Sequence, residues 1–282
     1  MAMRWHARTA RSGSWPAARS GWPARSASGR GCGWLDAGGK SVTRLMPTHE
    51  IANDDDRDGG RGDACDPSLL RPLLPPSVLL AQMPPAQADP TALHPLEQAQ
   101  VAAAVASRRL EYAAGRQLAQ PLLQALGAVP APLLNGADRA PLWPPGIIGS
   151  ITHCTGLCAV AVASVDTARG IGIDIEPASP LPRDVVAHVL VTGESDHFAA
   201  LPEHAIACAD RLVFCAKEAA YKALYPTLRK FLDFPDLRVE LAADGTFVVT
   251  PTQPLAGIHT PLRGRYRVTR DLMAAAVLLP NT

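Results

Sequence analysis

The sequence predicts an α+β fold with two similar halves, each a small antiparallel sheet packed with helices. Apolar runs at 147–153 and 157–165 are separated by three residues, so we expect them to pair as antiparallel strands. Two alternating runs within 237–250 flank an Asp-Gly pair, which is a strong hairpin signal. Apolar residues recur at helical spacing over 95–127 and 205–225, which gives each half a helical block.

The sequence also predicts the elements that lie before, between and after these segments. Residues 69–90 are rich in Leu and Pro and are expected to be extended or irregular. Pro121 interrupts the first helical block, and because Pro costs about 3 kcal/mol inside a helix we expect two helices there. The run 171–176 is predicted to be a third strand of the first meander. A short helix at 184–190 and a strand pair at 265–279 complete the second half.

The chain is predicted to contain an N-terminal extension followed by one folded unit with two halves. We interpret residues 1–68 as a disordered extension, with Met46 as an alternative start. An organellar transit peptide is the alternative for 1–45, which are rich in Arg and Ser. Residues 69–180 then form the N-terminal half and 181–282 the C-terminal half, and we expect the active site at the cleft between them.

Charge and cysteine usage exclude several classes of protein. Residues 67–282 carry 17 basic and 18 acidic side chains, so no nucleic-acid partner is expected. Cys154 and Cys158 lack the second ligand pair that a zinc site needs. The six cysteines are therefore expected to be reduced thiols in the cytoplasm. No apolar run approaches the roughly 18–20 residues of a membrane span.

The strand 171–176 carries two carboxylates on one face. Side chains alternate with period two, so its three isoleucines point one way and Gly172, Asp174 and Glu176 the other. Carboxylates at this spacing, roughly 7 Å apart, suit a Mg²⁺ ion that also holds substrate phosphates. An ordinary strand with a polar outer face is the alternative.

The stretch 214–224 of the predicted helix 205–225 carries the second candidate group. Glu218 and Lys222 are four residues apart and share a face, and Lys217 lies one residue off that face. A solvent-exposed ion pair on a helix is the alternative interpretation of this spacing.

Two further segments supply polar and basic candidates. Ser150 and His153 lie in G-S-I-T-H, where they could bind phosphate, whereas a serine hydrolase would need a G-x-S-x-G elbow that is missing here. Arg109 and Arg116 lie seven residues apart, two turns along one predicted helical face. They could bind phosphate or form a solvated basic face.

The order of these motifs resembles one family. A Ser-x-x-His is followed about 20 residues later by G-I-D-I-E and about 40 residues beyond by K-E-A-x-Y-K. This series resembles the 4′-phosphopantetheinyl transferases, over roughly residues 70–280. The R-R-x-E-Y-x-A-G-R helix and the P-x-W-P-x-G-x-x-G-S-I-T-H-C stretch are similar to the branch of Sfp and enterobactin synthase component D. Members of that branch are monomers with two similar halves. Phe214 departs from the family, in which many members have Trp.

The resemblance implies a reaction and a set of residues. It implies transfer of the phosphopantetheine arm of coenzyme A to a serine of an apo acyl or peptidyl carrier protein, with release of adenosine 3′,5′-bisphosphate. Asp174, Glu176 and Glu218 are implied to bind Mg²⁺. Glu218 or a metal-bound water would take the serine proton, and Lys222 would offset charge on the leaving phosphate.

The resemblance also implies a coenzyme A site and a biological setting. Its implied phosphate-binding residues are Arg109, Arg116, Arg139, Ser150, His153, Lys217 and Lys222. The expected setting is siderophore, nonribosomal-peptide or polyketide synthesis. Two alternatives stay open: a Mg²⁺-dependent phosphohydrolase that needs no carrier, and a carrier-binding module without catalysis.

Overall fold

The structure is a computed structural model that describes residues 69–258 and 260–281, so the predicted extension 1–68 lies outside it. The helices are α1 Pro95–Val101, α2 Ala106–Ala125, α3 Arg183–Val189, α4 Glu203–Ile206 and α5 Ala209–Leu228. The strands are β1 Leu79–Met83, β2 Ile147–Cys154, β3 Leu157–Ser164, β4 Gly170–Pro177, β5 Leu237–Leu241, β6 Thr246–Pro251, β7 Leu262–Val268 and β8 Leu272–Leu279.

The strands form two antiparallel sheets. Three strands have the order β1-β3-β2, and five have the order β4-β8-β7-β6-β5. Helix α2 packs on one face of the three-stranded sheet, whose other face packs against β4 and β8. Helix α5 covers the opposite face of the five-stranded sheet. This layering confirms the predicted α+β class, with two antiparallel sheets packed with helices.

The three isoleucines of β4 form the contact between the sheets. Ile171, Ile173 and Ile175 are each at most 1% exposed and pack against alanines of β3 and β8. Burying one such side chain stabilises the fold by about 1.5–3 kcal/mol. The predicted inward face of this strand is therefore confirmed, and its other face is turned toward α5.

Strand β4 does not continue the meander of β2 and β3, so that prediction is wrong. It pairs along its whole length with β8, with Gly170 opposite Leu279 and Pro177 opposite Leu272. Five residues separate the end of β3 from the start of β4, and this length lets the chain cross from one sheet to the other. Alternation along a strand fixes its buried face but carries no information about its neighbour.

The first helical block is interrupted, but not at Pro121 as predicted. The break lies at 102–105, and Pro121 is exposed inside α2. A proline there removes one backbone hydrogen bond, while its ring projects toward solvent. Leu118 and Leu123 are buried and hold this part of the helix against the three-stranded sheet.

Two glycines let α5 lie directly against β4. A Cβ atom at Gly172 would collide with the carbonyl oxygen of Ala219, and one at Gly170 with that of Ala223. Both obstacles are helix backbone, which cannot rotate away as a side chain can. The Gly-Ile-Gly-Ile sequence thus packs isoleucines on one face and admits a helix on the other.

Gly172→Ala is expected to lower the free energy of unfolding by about 1–3 kcal/mol or more, because α5 must move away from β4. Urea unfolding of the purified protein measures this change. Gly115→Ala in α2 is the matched control, since its nearest obstacle is the flexible side chain of Ile151 at 3.1 Å. Equal midpoints for the Gly172 variant and the wild type would contradict the proposed close packing.

Candidate active site

Strand β4 and helix α5 bring an aspartate and a lysine into direct contact. Lys222 Nζ lies 2.6 Å from Asp174 Oδ1 and 3.2 Å from the carbonyl oxygen of Ile173. The two charged side chains are 11% and 6% exposed. Burial acts to lower the pKa of Lys222, but the charges of Asp174 and Glu218 outweigh it and the pKa is raised. The ammonium therefore stays charged at neutral pH.

Hydroxyl groups of β2 accept hydrogen bonds from backbone N–H groups on the edge of β4 that does not pair with β8. The backbone N–H of Ile173 donates to Ser150 Oγ at 3.0 Å, and that of Ile175 donates to Thr152 Oγ1 at 3.2 Å. The Thr152 hydroxyl in turn donates to Asp174 Oδ1 at 3.0 Å. Sequence reasoning selected Ser150 but missed Thr152, which lies two residues later on the same face of the strand.

Glu176 faces an arginine that the sequence analysis missed. Arg211 Nη1 lies 3.1 Å from Glu176 Oε2. Burial raises the pKa of Glu176 to about 7, the nearby charge of Asp174 adds to this, and Arg211 opposes it. Arg211 stands seven residues before Glu218, and this two-turn spacing on one helix face was the available signal.

Glu218 is 2% exposed on α5. Its charge contributes to the raised pKa of Lys222. The pKa of Tyr221 is raised chiefly by burial, and Glu218 adds to that shift as well. The structure therefore brings Asp174, Glu218 and Lys222 together where β4 meets α5.

The carboxylates fit a divalent cation, although no three His, Cys, Asp or Glu side chains of the described residues form a ready metal site. Asp174 Oδ2 is buried and has no hydrogen-bond partner among the residues that the structure describes. Asp174 also lies close enough to Glu176 for its charge to raise the pKa of Glu176. A cation beside them would relieve both costs, and carboxylate oxygens are ligands that Mg²⁺ prefers.

His153 belongs to a polar group at the end of β2. Its Nε2 lies 2.8 Å from Arg108 Nη1, and its Nδ1 lies 3.6 Å from Glu111 Oε2. Burial lowers the pKa of His153 to about 4, and the charges of Arg108 and Lys222 contribute. The imidazole is therefore neutral at pH 7, and its Nε2 accepts a hydrogen bond from Arg108. Arg108 was missed, although it directly precedes the chosen Arg109.

Arg116 is buried rather than on a surface. Its side chain stacks over the ring of Tyr112 at 3.6 Å, and the residue is 5% exposed. The guanidinium donates to the carbonyl oxygen of Leu133 at 3.1 Å and to Asn135 Oδ1 at 2.6 Å. These contacts give Arg116 a role in fastening the 133–135 segment to α2.

The other two predicted arginines are exposed. Arg109 Nε donates to the carbonyl oxygen of Ala104 at 2.8 Å. Arg139 adopts a left-handed backbone conformation with φ 66°, which is unusual for a residue with a side chain. Asp138 Oδ1 bridges this turn by accepting from the backbone N–H of Ala140 at 3.0 Å.

The structure does not bring Lys217 to this site. Its fully buried ammonium donates to the carbonyl oxygens of Val189 at 2.7 Å and Phe234 at 3.1 Å. It also lies 3.0 Å from Glu194 Oε1, which accepts from the backbone N–H of Val239 at 2.7 Å. Lys217 and the unpredicted Glu194 thus tie α5 to the 189–194 segment and to the 234–239 segment.

A cavity of about 250 Å³ opens beside Lys222. Its walls include Ser150, Trp143 and Arg229. Tyr221 also lines the cavity, and its buried hydroxyl has no hydrogen-bond partner within the described part of the chain. Most of the other lining residues are apolar, among them Leu142 and Ile151, so the cavity is largely apolar with a few polar groups.

Membrane-spanning helices and cysteine pairing were the other features addressed by the sequence. No helix within 69–258 or 260–281 is long and apolar enough to cross a membrane. The thiols of Cys154, Cys158, Cys208 and Cys215 are free.

Comparison with known proteins gives a consistent family. Residues 96–163 match the 4′-phosphopantetheinyl transferase N-terminal domain, and residues 170–275 match the 4′-phosphopantetheinyl transferase superfamily. The 4′-phosphopantetheinyl transferase PptT of Mycobacterium tuberculosis is 37% identical over 68% of this chain and 88% of the relative. The 4′-phosphopantetheinyl transferase Svp of Streptomyces mobaraensis is 40% identical over 67% and 80%, respectively.

A third relative extends the comparison to the branch that the motifs resemble. Enterobactin synthase component D of Escherichia coli is 36% identical over 48% of this chain and 65% of the relative. Three observations point to the same family. They are the motif order, the buried Asp174–Lys222 pair beside Glu218 and the extent of these matches. The chain belongs to the 4′-phosphopantetheinyl transferase superfamily and is an enzyme of that family.

Proposed function

We propose that this enzyme transfers the 4′-phosphopantetheine group of coenzyme A to a serine of an apo acyl or peptidyl carrier protein, with Mg²⁺ as cofactor. Family membership supports the type of reaction. The observation that carries the proposal is the buried ion pair of Asp174 and Lys222 beside Glu218. A solvated ion pair of Glu218 and Lys222 on the helix surface would be largely exposed, whereas Glu218 is 2% exposed and the Lys222 side chain 11%.

Glu218 is the proposed general base, because the serine hydroxyl is a poor nucleophile until a base takes its proton. The serine oxygen forms a bond to the phosphorus that carries the pantetheine arm. The bond from that phosphorus to the oxygen shared with the adenosine part breaks, and adenosine 3′,5′-bisphosphate leaves with the electron pair. Lys222, held by Asp174 Oδ1 at 2.6 Å, stabilises charge that develops on the leaving phosphate.

Asp174, Glu176 and Glu218 are the proposed holders of Mg²⁺, which supplies neutralisation of the pyrophosphate when bound. The buried, unpartnered Oδ2 atom of Asp174 supports this assignment within the described chain.

The coenzyme A phosphates are proposed to contact Ser150, His153, Arg109 and Arg139, together with Lys222. Ser150 lines the cavity beside Lys222, and both arginines are exposed. Arg116 and Lys217 are left out of this set, because their charged groups are buried on protein acceptors.

The carrier is proposed to belong to siderophore, nonribosomal-peptide or polyketide synthesis. The resemblance to enterobactin synthase component D supports this setting. Action as a monomer in the cytoplasm stays a prediction from the sequence.

The intact mass of a carrier protein tests this function. The enzyme is incubated with coenzyme A, Mg²⁺ and several apo carrier proteins, each with a control in which the acceptor serine is alanine. We expect at least one carrier to gain one phosphopantetheine group and its alanine control to gain none. No gain on any carrier would contradict the transferase proposal.

A further inference from the structure

A single arginine fastens the first turn of α5 to the end of β4. Arg211 Nη1 lies 3.1 Å from Glu176 Oε2. Its Nε donates to the carbonyl oxygen of Ser179 at 2.7 Å, and its Nη2 to that of Pro180 at 3.0 Å. Each of the three nitrogens thus has a protein acceptor, and the side chain is only 17% exposed.

The two carbonyl contacts hold the guanidinium in place independently of Glu176. The neighbouring Asp210 adds a second tie, because its Oδ2 accepts from the backbone N–H of Leu181 at 3.1 Å. The segment 179–181 is therefore fixed to α5 at three points. A planar guanidinium held in this way presents its third nitrogen, Nη1, to the Glu176 carboxylate in one fixed direction.

Glu176 needs such a fixed partner more than Asp174 does. Asp174 is held by Lys222 and by the Thr152 hydroxyl, and its side chain is 6% exposed. The side chain of Glu176 is 20% exposed and has one more rotatable bond. Without Arg211, its carboxylate could turn toward solvent and away from Asp174.

We propose that Arg211 is a positioning residue that holds the Glu176 carboxylate toward Asp174, in the orientation that a divalent cation needs. This inference rests on the proposed function, since Glu176 is a proposed Mg²⁺ ligand there. Arg211 acts through Glu176 and touches neither the metal nor the substrate.

Two physical effects of removing Arg211 have opposite signs, so a binding measurement can separate them. If Arg211 were only a competing positive charge, its loss would tighten Mg²⁺ binding, because like charges repel. If Arg211 positions a ligand, its loss weakens Mg²⁺ binding. Loss of a residue that orients a metal ligand typically costs 10–100-fold in affinity.

The test is calorimetric titration of Mg²⁺ into the full-length enzyme with coenzyme A present and no carrier. We compare the wild type with Arg211→Gln and Arg211→Lys. Arg267→Gln is the matched control, because Arg267 is exposed on β7. We expect the dissociation constant for Mg²⁺ to rise about 10–100-fold in Arg211→Gln and to stay unchanged in the control. An unchanged or lower constant in Arg211→Gln overturns the proposal.

Arg211→Lys keeps the test decisive if Arg211→Gln does not fold. Lysine retains the charge, but one ammonium on a flexible chain cannot reproduce the guanidinium fork. Its dissociation constant must therefore also rise, and a wild-type value overturns the proposal. Failure of the wild type to bind Mg²⁺ or to modify any carrier would overturn the proposed function as well. A wild type that does both, with variants that bind Mg²⁺ equally well, overturns only the role of Arg211.

Discussion

Asp174→Asn is expected to reduce the rate of phosphopantetheine transfer about 1,000-fold, which corresponds to about 4 kcal/mol. Asparagine keeps the size of the side chain and can still accept the hydrogen bond from Thr152. It loses the negative charge that pairs with Lys222 at 2.6 Å and that helps to raise the pKa of Lys222. The proposed metal site loses one anionic ligand at the same time. Carrier modification followed over time by mass spectrometry measures the rate.

Asparagine is a cleaner replacement than alanine at this position. Alanine would leave a cavity beside a buried ammonium, and the loss of transfer could then reflect unfolding. Asp271→Asn is the matched control, because Asp271 is exposed in the turn between β7 and β8. The control should transfer at the wild-type rate. A wild-type rate in Asp174→Asn itself would remove Asp174 from the proposed active site.

Lys217→Met is expected to destabilise the fold by about 3–5 kcal/mol, because it leaves Glu194 buried without its cation. Both side chains of this pair are fully buried. The loss corresponds to a fall in melting temperature of roughly 6–20 °C for a unit of this size. Thermal unfolding followed by circular dichroism measures it. The sequence motif alone predicts a different result, namely weaker coenzyme A binding with unchanged stability.

Two further variants separate these outcomes for Lys217. Lys230→Met is the matched control, because Lys230 is exposed just after α5. The double variant Lys217→Met with Glu194→Gln removes both charges and should recover part of the lost stability. A Lys217→Met protein that melts at the wild-type temperature but has a raised KM for coenzyme A would contradict the structural role and restore the motif-based one.

Local features of the fold could be predicted from the sequence. Period-two alternation placed the isoleucines of β4 in the core, and the structure confirms it. The Asp-Gly pair correctly marked the hairpin of β5 and β6. The partner of β4 could not be predicted, because pairing with β8 joins segments about 100 residues apart in the chain. Alternation within a strand contains no information about such long-range contacts.

The candidate site could be predicted only in part for a related reason. Spacing placed Glu218 and Lys222 on one helix face, where Lys222 contacts Asp174 and the charge of Glu218 acts on Lys222. Adjacent helix residues differ by about 100° in direction, so Lys217 points into a different environment from Glu218. Only packing decides which side of α5 is buried against which element. For the same reason Arg116 was assigned to phosphate although it lies beneath the 133–135 segment.

The most direct test of the central claim is the release of adenosine 3′,5′-bisphosphate from coenzyme A, measured by liquid chromatography with and without an apo carrier. A transferase built on Asp174, Glu218 and Lys222 is predicted to release one equivalent for each carrier serine modified, and none without carrier. Glu218→Gln should show neither product if Glu218 takes the serine proton. Release that is independent of the carrier would show a phosphohydrolase instead and would contradict the account.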